Sequence, residues 1–270
     1  MRTQQNIALS DVGKIFSVLA RGDVEALSKI EINIPAGQIY ALVGPSGCGK
    51  STILNLVAGF DKVTSGSVSV GGRAVQKPGP DRGVVFQEHG LFPWLTAIDN
   101  VQFGLQVRGI KNSDVIARDH LKLVGLGGFE KHYPRELSGG MRQRVALARV
   151  LANEPGVLLM DEPFGALDAQ TRFLMQELLL EVWTASKPTV LLITHDVDEA
   201  IFVADRVGVM TARPGRIKAE FDVPLSRPRS YKDLVTGSFV SLKQEILEIL
   251  RAEIIAAGKA VAGDSAPAAS

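Results

Sequence analysis

Several things are scarce in this sequence. There is one cysteine, Cys48, in 270 residues. An internal disulfide framework is therefore excluded, and the composition suits a reducing compartment. Neither charge is in excess: Lys+Arg total 30 against Asp+Glu 29, a net charge of +1. The basic footprint of a nucleic-acid binder is missing, so no nucleic-acid partner is expected. No uninterrupted apolar run approaches the ~18–20 residues of a membrane-spanning helix, so any membrane role must pass through a partner. The opening MRTQQNIALSDVGK has no apolar core and does not read as a secretory signal. Internal repeats are absent. What remains, 46% hydrophobic and 22% charged, is the composition of an ordinary globular protein long enough for a well-buried core.

What is present is an alternation of short apolar runs and helical patterns. The runs at 39–43 (IYALV), 83–86 (GVVF), 157–160 (VLLM), 189–193 (TVLLI) and 207–210 (VGVM) read as buried strands. Helical patterns follow at 50–59, 141–152, 171–183 and 198–204. Strands apolar on both faces and interleaved with helices predict an α/β fold with a mostly parallel sheet. The alternating stretches 30–34 (IEINI) and 66–72 (GSVSVGG) predict half-exposed antiparallel strands near the N-terminus. The segment from about 88 to 137 has helical patches and no clear strand, which reads as a helical insert. Phe239, Leu242, Ile246, Ile249 and Leu250 recur at helical spacing. The small, polar end at about 257–270 reads as a disordered tail.

The chemistry-bearing residues share one geometry. Gly44, Gln87, Asp161–Glu162 and His195 each follow an apolar strand, and in an open α/β sheet ligands bind beyond the carboxyl ends of the strands. The stretch GPSGCGKS at 44–51 fits G-x-x-x-x-G-K-[ST] between a strand and a helix, which points to a nucleoside triphosphate. Gly44, Gly47 and Gly49, with Pro45, Ser46 and Cys48 between them, let the backbone wrap a phosphate that a Cβ would obstruct. Cys48 itself reads as a small filler. Lys50 is placed to neutralise β/γ-phosphate oxygens, Ser51 to ligate Mg²⁺ and Thr52 to touch the α-phosphate. Asp161 is expected to hold Mg²⁺ and Glu162 to act as general base toward water. Gln87 can offer an oxygen to Mg²⁺ and an amide to water or phosphate. His195 can bond the γ-phosphate and the attacking water. His89, His120 and His132 lack metal-ligand spacing and read as structural. A second anion-ready helix start, Ser138, Gly139 and Gly140, precedes the run MRQRVALARV.

Taken in order, these residues resemble the nucleotide-binding subunits of ATP-binding cassette (ABC) transporters over roughly 6–231. GPSGCGKST is similar to Walker A, VLLMDEP to Walker B, Gln87 to the Q-loop and LSGGMRQR to the signature motif. GALD, ending at Asp168, is similar to the D-loop, and His195 to the switch histidine. Phe16 resembles the aromatic that stacks on adenine. The resemblance implies a single ABC ATPase domain: a P-loop NTPase (RecA-like) core, an N-terminal antiparallel β subdomain and a helical subdomain inserted at about 88–152. It also implies a head-to-tail homodimer. ATP with Mg²⁺ would lie between Lys50 of one subunit and Ser138, Gly139 and Gly140 of the other, and Asp168 would connect the two sites. Met141 stands where many members carry Gln, and Phe16 where Tyr is commoner.

LFPWLTAIDNV, with ITHDVDEAI, is similar to the nitrate/sulfonate/taurine branch of bacterial importers. That implies contact near 87–95 with integral membrane permease subunits, an indirect link to a substrate-binding protein, and a peripheral place on the cytoplasmic face of the inner membrane. Leu91, Phe92 and Trp94 fit either a packed turn or an apolar surface for the permease. A soluble ABC protein of repair or translation would carry long coiled-coil inserts or a second cassette. A small-molecule P-loop kinase would leave LSGGMRQR and His195 unexplained.

Overall fold

The structure, a computed structural model, describes residues 4–18 and 22–264. Its main sheet is built from β3 (Ile39–Val43), β6 (Arg82–Val85), β7 (Val157–Asp161), β8 (Thr189–Ile193), β9 (Arg206–Met210) and β10 (Ile217–Asp222). They lie in the order β10-β9-β3-β8-β7-β6, all parallel except β10, which runs antiparallel to β9 at the edge. β3 and β8 are buried at every residue. Their side chains divide by parity, as a pleat requires. Val190 and Leu192 join one core with Ile39, Ala41 and Val43, and Leu191 and Ile193 join the other with Tyr40 and Leu42.

The first core is closed by α5 (Ala169–Ser186), α6 (Val197–Val203) and the first turns of α7 (Gly237–Asp264), through residues such as Met175, Phe202 and Phe239. The second core lies under α1 (Lys50–Ala58) and a four-stranded antiparallel sheet of β1 (Ile7–Val18), β2 (Gly22–Ile34), β4 (Ser65–Val70) and β5 (Arg73–Ala74), ordered β2-β1-β4-β5. A third cluster packs α2 (Ala97–Val107), α3 (Ser113–Leu123) and α4 (Gly139–Leu151) into a helical unit around Val101, Leu121 and Val145. This is the expected α/β architecture with its P-loop core, N-terminal antiparallel sheet and helical insertion.

Three elements differ from the sequence reading. β1 carries no clean alternation because its register shifts around Asp11 and Gly13, and Asp11 takes a left-handed backbone, φ 49°. The edge strand β10 is half-exposed along its length, so it lacks the apolar run that marks a central strand. Residues 257–264, assigned to a disordered tail, continue α7 to Asp264. Alanine is the best helix former, and this stretch is rich in it. Residues 265–270 lie outside the described residues.

Candidate functional site

The polypeptide leaves β3 at Val43 and enters α1 at Lys50 through six residues wrapped by glycine geometry. Gly49 sits at φ 102°, and a Cβ there would fall 2.5 Å from Leu27 Cδ2. No other residue fits both the torsion and the space. α1 has no side-chain cap and no acidic residue in its first turn, so its leading N–H groups and positive dipole end are left to an anion. Lys50 is 7% exposed, and its Nζ donates to Gly44 O at 2.8 Å and Pro45 O at 3.0 Å. The charge is thereby held over the loop.

Above the loop is a cavity of about 500 Å³. Phe16, Val24 and Ala26 of the antiparallel sheet form its apolar side. Ser46, Gly47, Gly49, Lys50, Ser51 and Thr52 form its floor, and Glu162 and Arg213 complete it. The Phe16 ring is braced from behind by Lys14, whose Nζ lies 4.7 Å from its centroid and is itself tied to Asp61 at 2.7 Å. Cys48 takes the small-filler place that the sequence suggested. Its backbone belongs to the loop, but its side chain is 1% exposed and lies in the core against Met210. Gly44 makes room for it: a Cβ at Gly44 would be 2.9 Å from Cys48 Sγ.

The acidic pair leaves β7 in two directions. Asp161 Oδ1 accepts a hydrogen bond from Ser51 Oγ at 3.2 Å. Burial pushes the Asp161 carboxyl above the usual range, and neighbouring Glu162 adds to this, while the Ser51 bond and Lys50 oppose it. A desolvated carboxylate beside a hydroxyl is a pair of oxygen donors suited to a hard cation. Two such donors fit Mg²⁺, which keeps waters and phosphate oxygens in its shell.

Glu162 holds a left-handed backbone, φ 45°, unusual for a residue with a Cβ. Its N–H donates to Ile193 O at 2.9 Å. Its Oε2 accepts from His195 Nδ1 at 3.0 Å, with the imidazole largely exposed and the carboxylate about a quarter exposed. Neighbouring strands thus deliver a carboxylate and an imidazole to one spot at the cavity mouth. Gln87 leaves the sheet two residues past β6, the strand beside β7, and is exposed. It is not among the cavity walls.

Ser138, Gly139 and Gly140 are not cavity walls either. Ser138 is the exposed N-cap of α4, its Oγ accepting from Met141 N at 3.3 Å. A Cβ on Gly140 would strike Thr171 Cγ2 at 2.7 Å. Asp168 caps α5 beside it, accepting from the N–H groups of Gln170 at 3.1 Å and Thr171 at 3.0 Å. These bonds, that of Thr171 foremost, hold its carboxyl below the usual range.

Two residues escape the sequence reading. Asn100, fully buried, spans the 92–96 turn, donating from Nδ2 toward the carbonyls of Phe92, Leu95 and Thr96 and accepting from Phe92 N–H at 2.8 Å. A lone Asn in a helical pattern gives no sign of this. Arg213 did have a signal. β9 is also a parallel strand pairing with β3, so its exit, TARPGR, opens on the same crevice as the other strand ends.

The comparisons with known proteins agree with this geometry. The ABC transporter family model matches residues 27–165. An uncharacterized ABC transporter ATP-binding protein of Methanocaldococcus jannaschii is 48% identical over 94% of this chain and 94% of its own length. A nitrate import ATP-binding protein of Synechocystis sp. is 46% identical over 91% of this chain and 95% of its own. Relatives named for aliphatic sulfonate import in Bacillus cereus and taurine import in Rhizobium johnstonii match at 42% and 48%. Among solved structures, a dimeric post-hydrolysis ATP-binding cassette bound to ADP and phosphate superimposes with a TM-score of 0.70 at 32% identity, covering 82% of this chain and all of that one. With a triphosphate loop, an acidic strand end and a histidine gathered at one sheet edge, and with relatives of this closeness along nearly its full length, the chain belongs to the ABC transporter family as an ATP-binding subunit.

Proposed function

We propose that this chain is the ATP-hydrolysing subunit of an importer and that it works as a homodimer closed by ATP. The observation that carries the reading is the Glu162–His195 pair set at the mouth of a cavity floored by Lys50 and the α1 amides. In this reading Gly44 to Gly49 and the α1 N–H groups cradle the phosphates. Lys50 turns from its carbonyl partners to the β- and γ-oxygens, and Thr52 contacts the α-phosphate. Phe16 stacks on the adenine. Ser51 and Asp161, with Gln87, would hold Mg²⁺, which would supply neutralisation of phosphate charge. Glu162 accepts the proton of a water as its oxygen attacks the γ-phosphorus. The bond to the β–γ bridging oxygen breaks, leaving ADP and inorganic phosphate. His195 releases Glu162 and turns its N–H to the γ-phosphate.

Ser138, Gly139 and Gly140 do not line their own chain's cavity, so they are assigned to the nucleotide of a second copy, with Asp168 at the same interface. The solved cassette is itself dimeric and holds ADP and phosphate, which supports the pairing of two copies. An isologous pair yields two complete sites. Trp94, 71% exposed beside the half-buried Leu91 and Phe92, offers an apolar surface to a membrane permease. No helix among the described residues is long and apolar enough to cross a membrane; as the partner of a permease, the subunit would sit peripherally, on the cytoplasmic face. The imports for which the relatives are named favour a small anion such as nitrate, a sulfonate or taurine as cargo, delivered to the permease by a substrate-binding protein.

Glu162→Gln tests the assignment. The amide keeps size and position but cannot take a proton, so turnover should fall about 100- to 10,000-fold, MgATP should still bind, and an ATP-bound dimer should accumulate in size-exclusion chromatography. Near-normal phosphate release by this variant would remove Glu162 as the base.

A further inference from the structure

One cavity wall lies well outside the family match. Residues 211–216 (TARPGR) join β9 to β10, and Gly215 is wedged between two parts of the site. Its N–H donates to Ala26 O at 2.9 Å, its carbonyl accepts from Ser28 N–H at 3.0 Å, and a Cβ on it would lie 2.1 Å from Cys48 O. Thr211 braces the turn from inside: its hydroxyl lies 3.0 Å from Pro214 O and accepts from Arg216 N–H at 3.0 Å. The loop is therefore fastened both to β2, which carries Val24 and Ala26, and to the phosphate loop.

Arg213 is the one side chain of this loop that joins the cavity wall. It is exposed, and its guanidinium donates from Nη2 at 3.2 Å and Nε at 3.4 Å to a single neutral acceptor, Gly47 O. No carboxylate pairs with it among the described residues, and its Nη1 has no partner there. A guanidinium has five N–H donors in a fork that matches phosphate oxygens. Here that fork stands uncompensated at the rim of a loop shaped for a polyanion. From the outer side, Ala212 N–H donates to Glu253 Oε2 on α7 at 3.3 Å, and Glu253 Oε1 pairs with Lys218 on β10 at 3.2 Å. The Glu253 side chain is 14% exposed, so the carboxylate is packed between helix and loop.

We propose that Arg213 contacts the bound nucleotide, its guanidinium engaging the phosphate chain, and that Glu253 positions it from the last helix. The proposal rests on the ATP-binding reading of the cavity and deepens it. Nucleotide affinity is then set partly by residues far beyond position 165, and α7 becomes a structural input to the ATP site. Glu253 touches no nucleotide and acts through the Ala212 backbone.

The test is MgATP titration by calorimetry on the full chain, with steady-state kinetics alongside. Arg213→Ala should weaken MgATP binding about ten-fold, the worth of one charge-assisted contact, raising KM while kcat moves less than about two-fold. Arg213→Lys, a point charge without the fork, should recover part of the loss. Glu253→Gln should weaken binding about two- to four-fold. The double variant should bind no worse than Arg213→Ala alone, because both residues act through one contact. Lys50→Ala is the control for the site itself. If it abolishes binding while Arg213→Ala binds like the parent, the Arg213 contact is overturned and the ATP site stands. If Lys50→Ala binds normally, both readings fall. Additive losses in the double variant would overturn the positioning role of Glu253.

Discussion

At the start of α1 the molecule closes in, whereas at the start of α4 it falls away. Lys50 is 7% exposed beneath a cavity walled by the antiparallel sheet, Glu162 and Arg213. Ser138 is exposed and belongs to no such cavity. α1 has no side-chain cap, which leaves its amides free, whereas α4 is capped by its own Ser138 hydroxyl. A helix start prepared for an anion but lacking walls is half of a site. In the proposed reading a second copy supplies its remaining walls, and the adjacent Gly140–Thr171 contact and the Asp168 cap shape that face.

The largest effect should come from charging the open half. Asp is as good an N-cap as Ser and suits the dipole at a helix start, so Ser138→Asp should leave the fold unharmed. It places a carboxylate where the γ-phosphate of a second copy is expected, and like charges brought together cost several kcal/mol. Each chain should still bind MgATP as the parent does. The ATP-dependent dimer should vanish in the Glu162→Gln background, and turnover should fall by at least about 100-fold. A Ser138→Asp protein that dimerises and turns over normally would leave the open half without a partner and the comparison without meaning.

In the closed half, α6, the helix that follows His195 in the chain, carries a buried acid. Glu199, on α6, is 4% exposed; its Oε2 accepts from Gln176 Nε2 at 3.4 Å, and its Oε1 has no partner among the described residues. Burial pushes its carboxyl up to about 8, and Asp196 adds to this against the opposing effects of Thr194, Gln176 and Arg172. The folded state therefore keeps a proton that the unfolded state releases near 4.5. This group's contribution to stability is complete below that pH, declines as pH rises toward 8, and is level above. Across the window the loss is about 3–5 kcal/mol. Glu199→Gln mimics the neutral acid, so denaturant unfolding should show parent and variant alike at pH 5 and the variant more stable at pH 8. Parallel pH slopes would mean that the carboxyl is already ionised, and the closed half looser than it looks.

The closed half was also the more legible in sequence. Strands such as 39–43 and 189–193 announced themselves because they are apolar on both faces, and the glycines of 44–49 because their torsions and close contacts tolerate nothing else. Asp161, Glu162 and His195 were placed together by the rule that parallel strand ends converge. The rest depended on contacts that leave no periodic trace. Nothing local joins Arg213 to Gly47 or Glu253 to Ala212, which are brought together only by packing. Cys48 was legible as a small filler, but not where it would pack: position in a motif fixes the backbone, whereas the space opposite Gly44 decides where the side chain turns. β1 was hidden by the irregularity at Asp11 and Gly13, which breaks the two-residue period that a strand is recognised by.

The smallest effect on the isolated subunit should come from another open surface. The sequence left Leu91, Phe92 and Trp94 as either a packed turn or a docking face, and the structure divides them residue by residue. Phe92 packs on Phe103 at 4.7 Å between ring centroids, and the buried Asn100 ties its backbone down. Trp94 is 71% exposed, touching Phe92 at 5.6 Å between centroids. Asn100→Ala should therefore cost about 2–3 kcal/mol or more, because it strands several buried backbone groups. Trp94→Ala should change stability by no more than about 0.5 kcal/mol and ATPase activity by less than two-fold. Reconstituted with its permease, the Trp94 variant should nonetheless hydrolyse ATP without uptake, since the lost side chain served a contact made only in the assembly. If Trp94→Ala melts like Asn100→Ala, or supports normal uptake, the exposed indole is part of the fold's packing and the open face lies elsewhere.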